Sequence, residues 1–224
     1  MQLSRFERAL PWSGVVAGLA WVGHDALEHM TAGDHPGSAQ SAIISDHLVA
    51  NYASVGCLVV MGIAVLFFAT ASRNLLRSGE AREATYSSIA YGGWVVVAAA
   101  LGQMVAWDWA LINGAAPDKD DAALHTLSYV QYFGWAGMGI GLAAAFIATG
   151  LGGLRNAVLP RWFAILTVVC GFLGALGTAG IPPGGLVNYV LLPFWLVAAA
   201  VIISRRQARA ARSDSRPAEV TVTV

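Results

Sequence analysis

Charge is what this chain has least of. Only 12% of its 224 residues are Asp, Glu, Lys or Arg, where a soluble domain carries about a quarter. With a mean hydropathy of +0.61, there is too little polar side chain to wet a globular surface. A soluble enzyme, a disordered chain and a nucleic-acid binder are thereby excluded. Lysine is scarcer still, because Lys119 is the single lysine among 13 basic residues. The two cysteines, Cys57 and Cys170, both sit inside apolar runs. Neither a disulfide framework nor a thiolate metal site can be built from them, and buried Cys behaves as a small hydrophobe. No glycine run follows a phosphate-loop or dinucleotide pattern, so nucleotide-driven chemistry is not expected. Heptads, internal repeats and low-complexity segments are missing too.

What the chain does have is long apolar stretches, at 10–29, 48–71, 86–112, 127–151, 161–180 and 185–204. Each is long enough to cross a hydrocarbon core of about 30 Å. The first is interrupted by His24-Asp25 and lacks a small-residue cleavage site, so it reads as a retained span and not a signal peptide. The expectation is an all-α, polytopic membrane protein. A six-transmembrane-helix bundle over 10–204 would follow a cytoplasmic N-terminus (1–9) and precede a basic, disordered cytoplasmic tail (205–224).

Orientation follows from the short loops. Twelve arginines, from Arg5 and Arg8 through Arg73, Arg77, Arg82, Arg155 and Arg161 to the five between Arg205 and Arg216, fall on one side, and Lys119 alone on the other. A multi-pass protein of the plasma (inner) membrane with both termini cytoplasmic is the result. Acids divide the opposite way: five are with the arginines, while Asp25, Glu28, Asp34, Asp46, Asp108, Asp118, Asp120 and Asp121 gather toward the outer face.

All five histidines, His24, His29, His35, His47 and His125, join that outer group. On a helix, residues three and four apart share a face, so Trp21, Asp25, Glu28 and His29 make one stripe and His24 pairs with Glu28. Asp46-His47 opens the second span, with Asn51 one turn on. Gln103, Trp107 and Asp108 lie near the outer end of the third. His125, Tyr129, Tyr132 and Trp135 form a stripe in the fourth, and Asn188 and Tyr189 begin the sixth. The inner halves read as nearly featureless Ala, Val, Leu and Gly.

Three uses of that outer layer compete. Trp and Tyr can be the interfacial belt, with acids and histidines capping helix ends. His29, His47 and His125 with Asp46 or Asp25 can hold a metal or haem, their nitrogen and oxygen ligands suiting a divalent metal such as zinc, iron or copper. Against a metal, His24 and His29 point about 140° apart on one helix. Third, Asp25 and Asp108 can be acids at the end of an aromatic-walled pocket, because a carboxyl in apolar surroundings can act as a general acid. Trp21, Glu28, Asn51, Gln103, Trp107, Tyr129, Tyr132 and Trp135 would line it. Such a pocket would bind a small or lipophilic ligand, or serve transport or a purely structural role. The alternative is a membrane-embedded enzyme on an isoprenoid-like substrate (a cyclase or isomerase), or one using a His/Asp-bound metal. Expected partners are the lipid bilayer, a lipophilic small molecule and other copies of the chain, with no nucleic acid and no nucleotide. Gly137-x-x-x-Gly141 and Gly171, Gly174 and Gly177 suggest close helix approach.

The order of features resembles a family of six-span membrane proteins without assigned activity, frequent in high-GC, actinobacterial-type bacterial genomes. The resemblance rests on Asp34-His35-Pro36-Gly37-Ser38-Ala39 running through Ile43-Ile44 to Asn51, and on the Arg73-Asn-Leu-Leu-Arg77-x-x-Glu80 loop. Leu159-Pro160-Arg161-Trp162 and Leu192-Pro193-x-Trp195-Leu196 complete it. It implies a six-helix bundle in the plasma membrane and carries over no catalytic residue. The His24/Asp25/Glu28/His29 cluster is outside the family pattern.

Overall fold

The computed structural model describes residues 4–31, 40–81, 83–182, 185 and 190–214, and the side chains of these except 29–31 and 210–214. Among the described residues every regular element is helical. They are α1 (Arg5–Ala9), α2 (Ser13–Thr31), α3 (Ser41–Asp46), α4 (Leu48–Arg77), α5 (Thr85–Ala110), α6 (Ala116–Asp118), α7 (Asp121–Tyr132), α8 (Ala136–Arg155), α9 (Arg161–Thr178) and α10 (Leu192–Asp214). A 3₁₀ turn at Leu10–Trp12 joins α1 to α2, and a π turn at Leu111–Ala115 joins α5 to α6.

Local chemistry sets the ends. Ser4 and Glu7 form a reciprocal capping box at the start of α1, satisfying two backbone donors that the helix leaves open. The Glu80 carboxylate accepts from the Ser87 backbone N–H (2.8 Å) and hydroxyl (2.6 Å), an acid at the positive end of α5. Asp120 accepts from the N–H groups of Ala122 and Ala123 and starts α7. At the end of α9, Gly180 (φ 78°) turns the chain so that Ile181 N–H reaches the Leu176 carbonyl at 2.9 Å, the left-handed C-terminal turn that glycine permits.

Among the described residues, four helical stretches are long and apolar enough to cross a membrane: Leu48–Arg77, Thr85–Asp118, Asp121–Arg155 and Arg161–Thr178. The fourth apolar run departs from one continuous helix, because α7 ends at Tyr132 and a turn over Phe133–Trp135 redirects the chain into α8. Gly134 supplies the room: a Cβ there would lie 3.0 Å from Met104 and 3.1 Å from the Gln131 carbonyl. α10 likewise runs on to Asp214, past the end of the apolar run at 204. Its Arg, Gln and Ala residues are strong helix formers whatever their polarity. Residues 215–224 of the expected tail lie outside the described residues.

Packing proceeds from neighbour to neighbour: α9 on α8, α8 on α5, α5 on α4, α4 on α2, and α2 on α10. Glycine decides how closely. Cβ atoms on Gly93 and Gly141 would each lie 2.6 Å from backbone atoms across the α5–α8 contact. On the α8–α9 side, a Cβ on Gly150 would lie 2.7 Å from the Ala164 carbonyl, and one on Gly171 would lie 2.9 Å from the Ile147 backbone nitrogen. Gly137 is different, since a Cβ there would meet only the Ala100 Cβ, at an ordinary 3.7 Å. Cβ atoms on Gly14 and Gly18, four apart on α2, would lie 3.0 Å from the α10 carbonyls of Leu196 and Pro193 respectively.

Trp195 of α10 sits at the middle of the interior. Its ring lies 4.4 Å from Phe146 (α8), 5.7 Å from both Trp94 (α5) and Phe163 (α9), and 5.9 Å from Phe68 (α4). Its indole N–H donates to the Thr167 hydroxyl at 2.9 Å. Outward faces carry Val59, Ile63, Phe67, Ile165, Val169 and Phe172, all exposed, as lipid-facing positions do.

Candidate functional site

The two ends of the bundle differ in kind. At one end Arg155 reaches the Tyr86 hydroxyl, Arg206 donates to the Ala157 carbonyl, and Arg73 lies over the Tyr91 ring. At the other, Ser41 donates to the Ala116 carbonyl and the Tyr52 hydroxyl to Asn113. This second, Arg-poor end holds the candidate site.

Its most enclosed members are His24 and Asp108, 1% and 3% exposed. His24 faces α4: its Nδ1 shares a 2.7 Å hydrogen bond with the Ser54 hydroxyl, and its ring packs at 5.6 Å on buried Trp21. Its Nε2 lies 3.4 Å from the Glu28 carboxylate, one helical turn along. That is within ion-pair range but without hydrogen-bond geometry. Hydroxyl, imidazole and carboxylate thus form a chain across the α2–α4 contact, the side-chain types of a nucleophilic triad. Ser54 is only 5% exposed, wedged between two helices, so what this chain does here is tie α2 to α4.

Asp108 projects inward from the last turn of α5, just before the π turn. π turns often accompany functional positions in helices. The partner of its carboxylate is the side-chain amide of Gln131 in α7, a neutral group. Trp107, its chain neighbour, packs against the main core. Beside them Ile44, Val55, Leu111, Ile112 and Leu124 close a smaller apolar cluster.

The other candidates are placed as follows. Asn51 is buried and its amide donates to the Ile44 and His47 carbonyls, both at 3.2 Å, joining α3 to α4. Asp25 and Glu28 are half-buried, and each has an interaction partner. Trp135 is half-buried against the core, with its ring 3.4 Å from where a Cβ on Gly185 would sit. Tyr129, Tyr132, Gln103, Asp46, His47 and His125 are exposed. The expected His125–Tyr129–Tyr132–Trp135 stripe is therefore divided. His125 and Tyr129 meet edge-to-face at 4.9 Å and Tyr132 packs on Phe133, while the turn after α7 swings Trp135 inward. The side chain of His29, all of His35, and Asn188 and Tyr189 lie outside the described residues. Among the described residues no three His, Cys, Asp or Glu side chains gather to hold a metal ion.

Two partners escaped the sequence reading. Ser54 and Gln131 are not among the residues the sequence singles out, yet they are what His24 and Asp108 face. The signal was present, because each is a polar residue within an apolar run, and a buried ionisable group needs such a partner.

Compared with protein-family models, with curated proteins and with solved structures, the chain matches none.

Proposed function

We propose that this chain is a six-span protein of the plasma membrane, both ends cytoplasmic, whose outer half binds a small or lipophilic ligand at Asp108. α2 and α10 supply the two spans beyond the four recognised by length and apolarity, and their packing on the others supports that count. The arginines at one end support the orientation. Membership of the six-span family it resembles is part of the same proposal.

The observation that carries the ligand reading is Asp108, a buried carboxyl whose partner is a neutral amide. A charged carboxylate at the centre of a bilayer costs about 3 kcal/mol on insertion scales, and buried charges are normally paired with an opposite charge or a metal. A neutral neighbour leaves the carboxyl receptive to a proton or to a polar group on a ligand. The same property favours the second reading, in which Asp108 is the acid of an enzyme acting on a lipophilic substrate.

The test is mass spectrometry of small molecules that co-purify with the detergent-solubilised protein, wild type beside Asp108→Asn. Asparagine keeps the shape and a hydrogen bond to Gln131, so the variant is expected to fold and melt as wild type does. A co-purifying compound reduced at least tenfold in the variant supports the ligand site. Equal retention by both proteins, or a variant that fails to fold, returns Asp108 to a structural role. A compound found chemically altered only with wild type selects the enzyme.

A further inference from the structure

At the Arg-rich end, α4 and α10 part around a groove of about 500 Å³, a volume typical of small-molecule sites. Leu75 and Ile203 make its apolar wall, and Arg206, Arg209, Asn74 and Glu7 are among its polar lining. Arg206 lines the groove and is held by its 2.7 Å bond to the Ala157 carbonyl, one of its five donors. Arg209 has no acid partner among the described residues. Glu7 is fixed by its capping box with Ser4, and Phe6 beside it packs edge-to-face on Phe67 at 6.1 Å, so α1 closes one side.

Two guanidiniums and one carboxylate above an aliphatic wall are complementary to an amphiphile, not to a simple anion. We propose that this groove is a phospholipid site that reads a headgroup carrying both a phosphate and a primary ammonium. Arg206 and Arg209 take the phosphodiester, which guanidinium forks match in geometry. Glu7 takes the ammonium, and Leu75 and Ile203 line the start of an acyl chain. The groove lies at the end opposite Asp108, so this proposal and the ligand proposal stand or fall separately.

Native mass spectrometry of the delipidated full chain tests it, with phosphatidylethanolamine, phosphatidylglycerol and phosphatidylcholine of identical chains and inorganic phosphate as probes. Wild type is expected to retain the ethanolamine lipid about tenfold more tightly than the other two, the scale of one charge-assisted contact. Arg209→Gln, which breaks no hydrogen bond or ion pair among the described residues, lowers retention of all phospholipids. Adding Arg206→Gln lowers it further. Glu7→Gln removes the preference for ethanolamine over glycerol while phospholipid binding persists. Equal retention of the three lipids by wild type overturns the proposal, and so does indifference to both arginines. Inorganic phosphate that binds as tightly as lipid overturns it in favour of a plain anion site.

Discussion

Around Trp195, α4, α5, α8, α9 and α10 meet through Phe68, Trp94, Phe146 and Phe163, with one side-chain hydrogen bond, to Thr167, among the rings. Toward the Arg-poor end, α2 meets α4 through His24, Ser54 and Glu28, and α5 meets α7 through Asp108 and Gln131. Lipid tails are as apolar as leucine, so helices in a bilayer gain little from hiding hydrocarbon and associate by close packing and hydrogen bonds. The two regions of one bundle divide those forces between them. The aromatic region is specified by volume and should respond to changes of size. The polar region is specified by hydrogen bonding and should respond to changes of chemistry at constant size.

The largest effect is expected where volume matters most. Trp195→Ala empties the place where four rings converge and leaves the Thr167 hydroxyl without its donor, a loss of about 4 kcal/mol by the cost of large-to-small aromatic replacements. Reversible unfolding in mixed micelles measures it. A loss below about 1 kcal/mol would mean that the rings are not packed to a single shape, and the contrast between the regions would disappear.

Adjacent glycines sharpen the same comparison. Gly93→Ala places a Cβ 2.6 Å from the Gly141 carbonyl and the Ala145 nitrogen, whereas Gly92→Ala meets nothing within 4 Å. Backbone atoms cannot swing aside as a side-chain tip does. Gly93→Ala is expected to cost about 2 kcal/mol through overpacking. Gly92→Ala should gain up to about 1 kcal/mol from helix propensity. If the pair shifts unfolding equally, the close approach of α5 and α8 is not what holds them.

Much of this fold is legible in composition, and the failures have identifiable causes. Long apolar runs locate α4, α5 and α9 to within a few residues at most boundaries, because length and hydropathy are the requirements for crossing lipid. The break after Tyr132 is invisible to hydropathy, since Phe133-Gly134-Trp135 is itself apolar and only the close contacts of Gly134 reveal it. That break sends Tyr129 and Tyr132 outward and Trp135 inward, which no spacing rule foresees. The interior aromatic cluster was missed for a related reason. Phe68, Trp94, Phe146, Phe163 and Trp195 are spread over 128 positions, and only the order in which the helices pack brings them together. Within the candidate site, Asp108 was legible as an acid inside an apolar run. His24 was legible only as a neighbour of Glu28, because its decisive partner, Ser54, belongs to another helix.

A smaller effect belongs to the polar region. Ser54→Ala barely changes volume but leaves His24 Nδ1 buried without its partner. The expected cost is about 1 kcal/mol, the range for hydrogen bonds between membrane helices. Cys57→Ala, a similarly small change on the same helix, serves as the control for volume and should cost less. Comparable losses from the two would show that size, not hydrogen bonding, governs this contact as well.

The smallest effect belongs to the exposed capping box of α1, where water competes with every polar contact. Glu7 accepts a hydrogen bond from the Ser4 backbone at 2.7 Å while the Ser4 hydroxyl accepts from the Glu7 backbone at 3.1 Å. Hydrogen bonding to the carboxylate from the Ser4 backbone first and from the Ser4 side chain second holds the Glu7 carboxyl below its ordinary value of 4.5. A depressed folded-state value means that the stabilising contribution is complete above 4.5. It disappears as pH falls through the lower folded value. α1 should therefore loosen only in acid, and Phe6 should leave Phe67. A fluorine label on Phe6, followed by NMR through an acid titration, reports that release directly. Ser4→Ala, which removes the hydroxyl half of the box, should move the midpoint up toward 4.5. Because α1 flanks the groove that Arg206 and Arg209 line, retention of the ethanolamine lipid should weaken along the same titration. A Phe6 signal indifferent to both pH and Ser4→Ala would separate the capping box from the docking of α1.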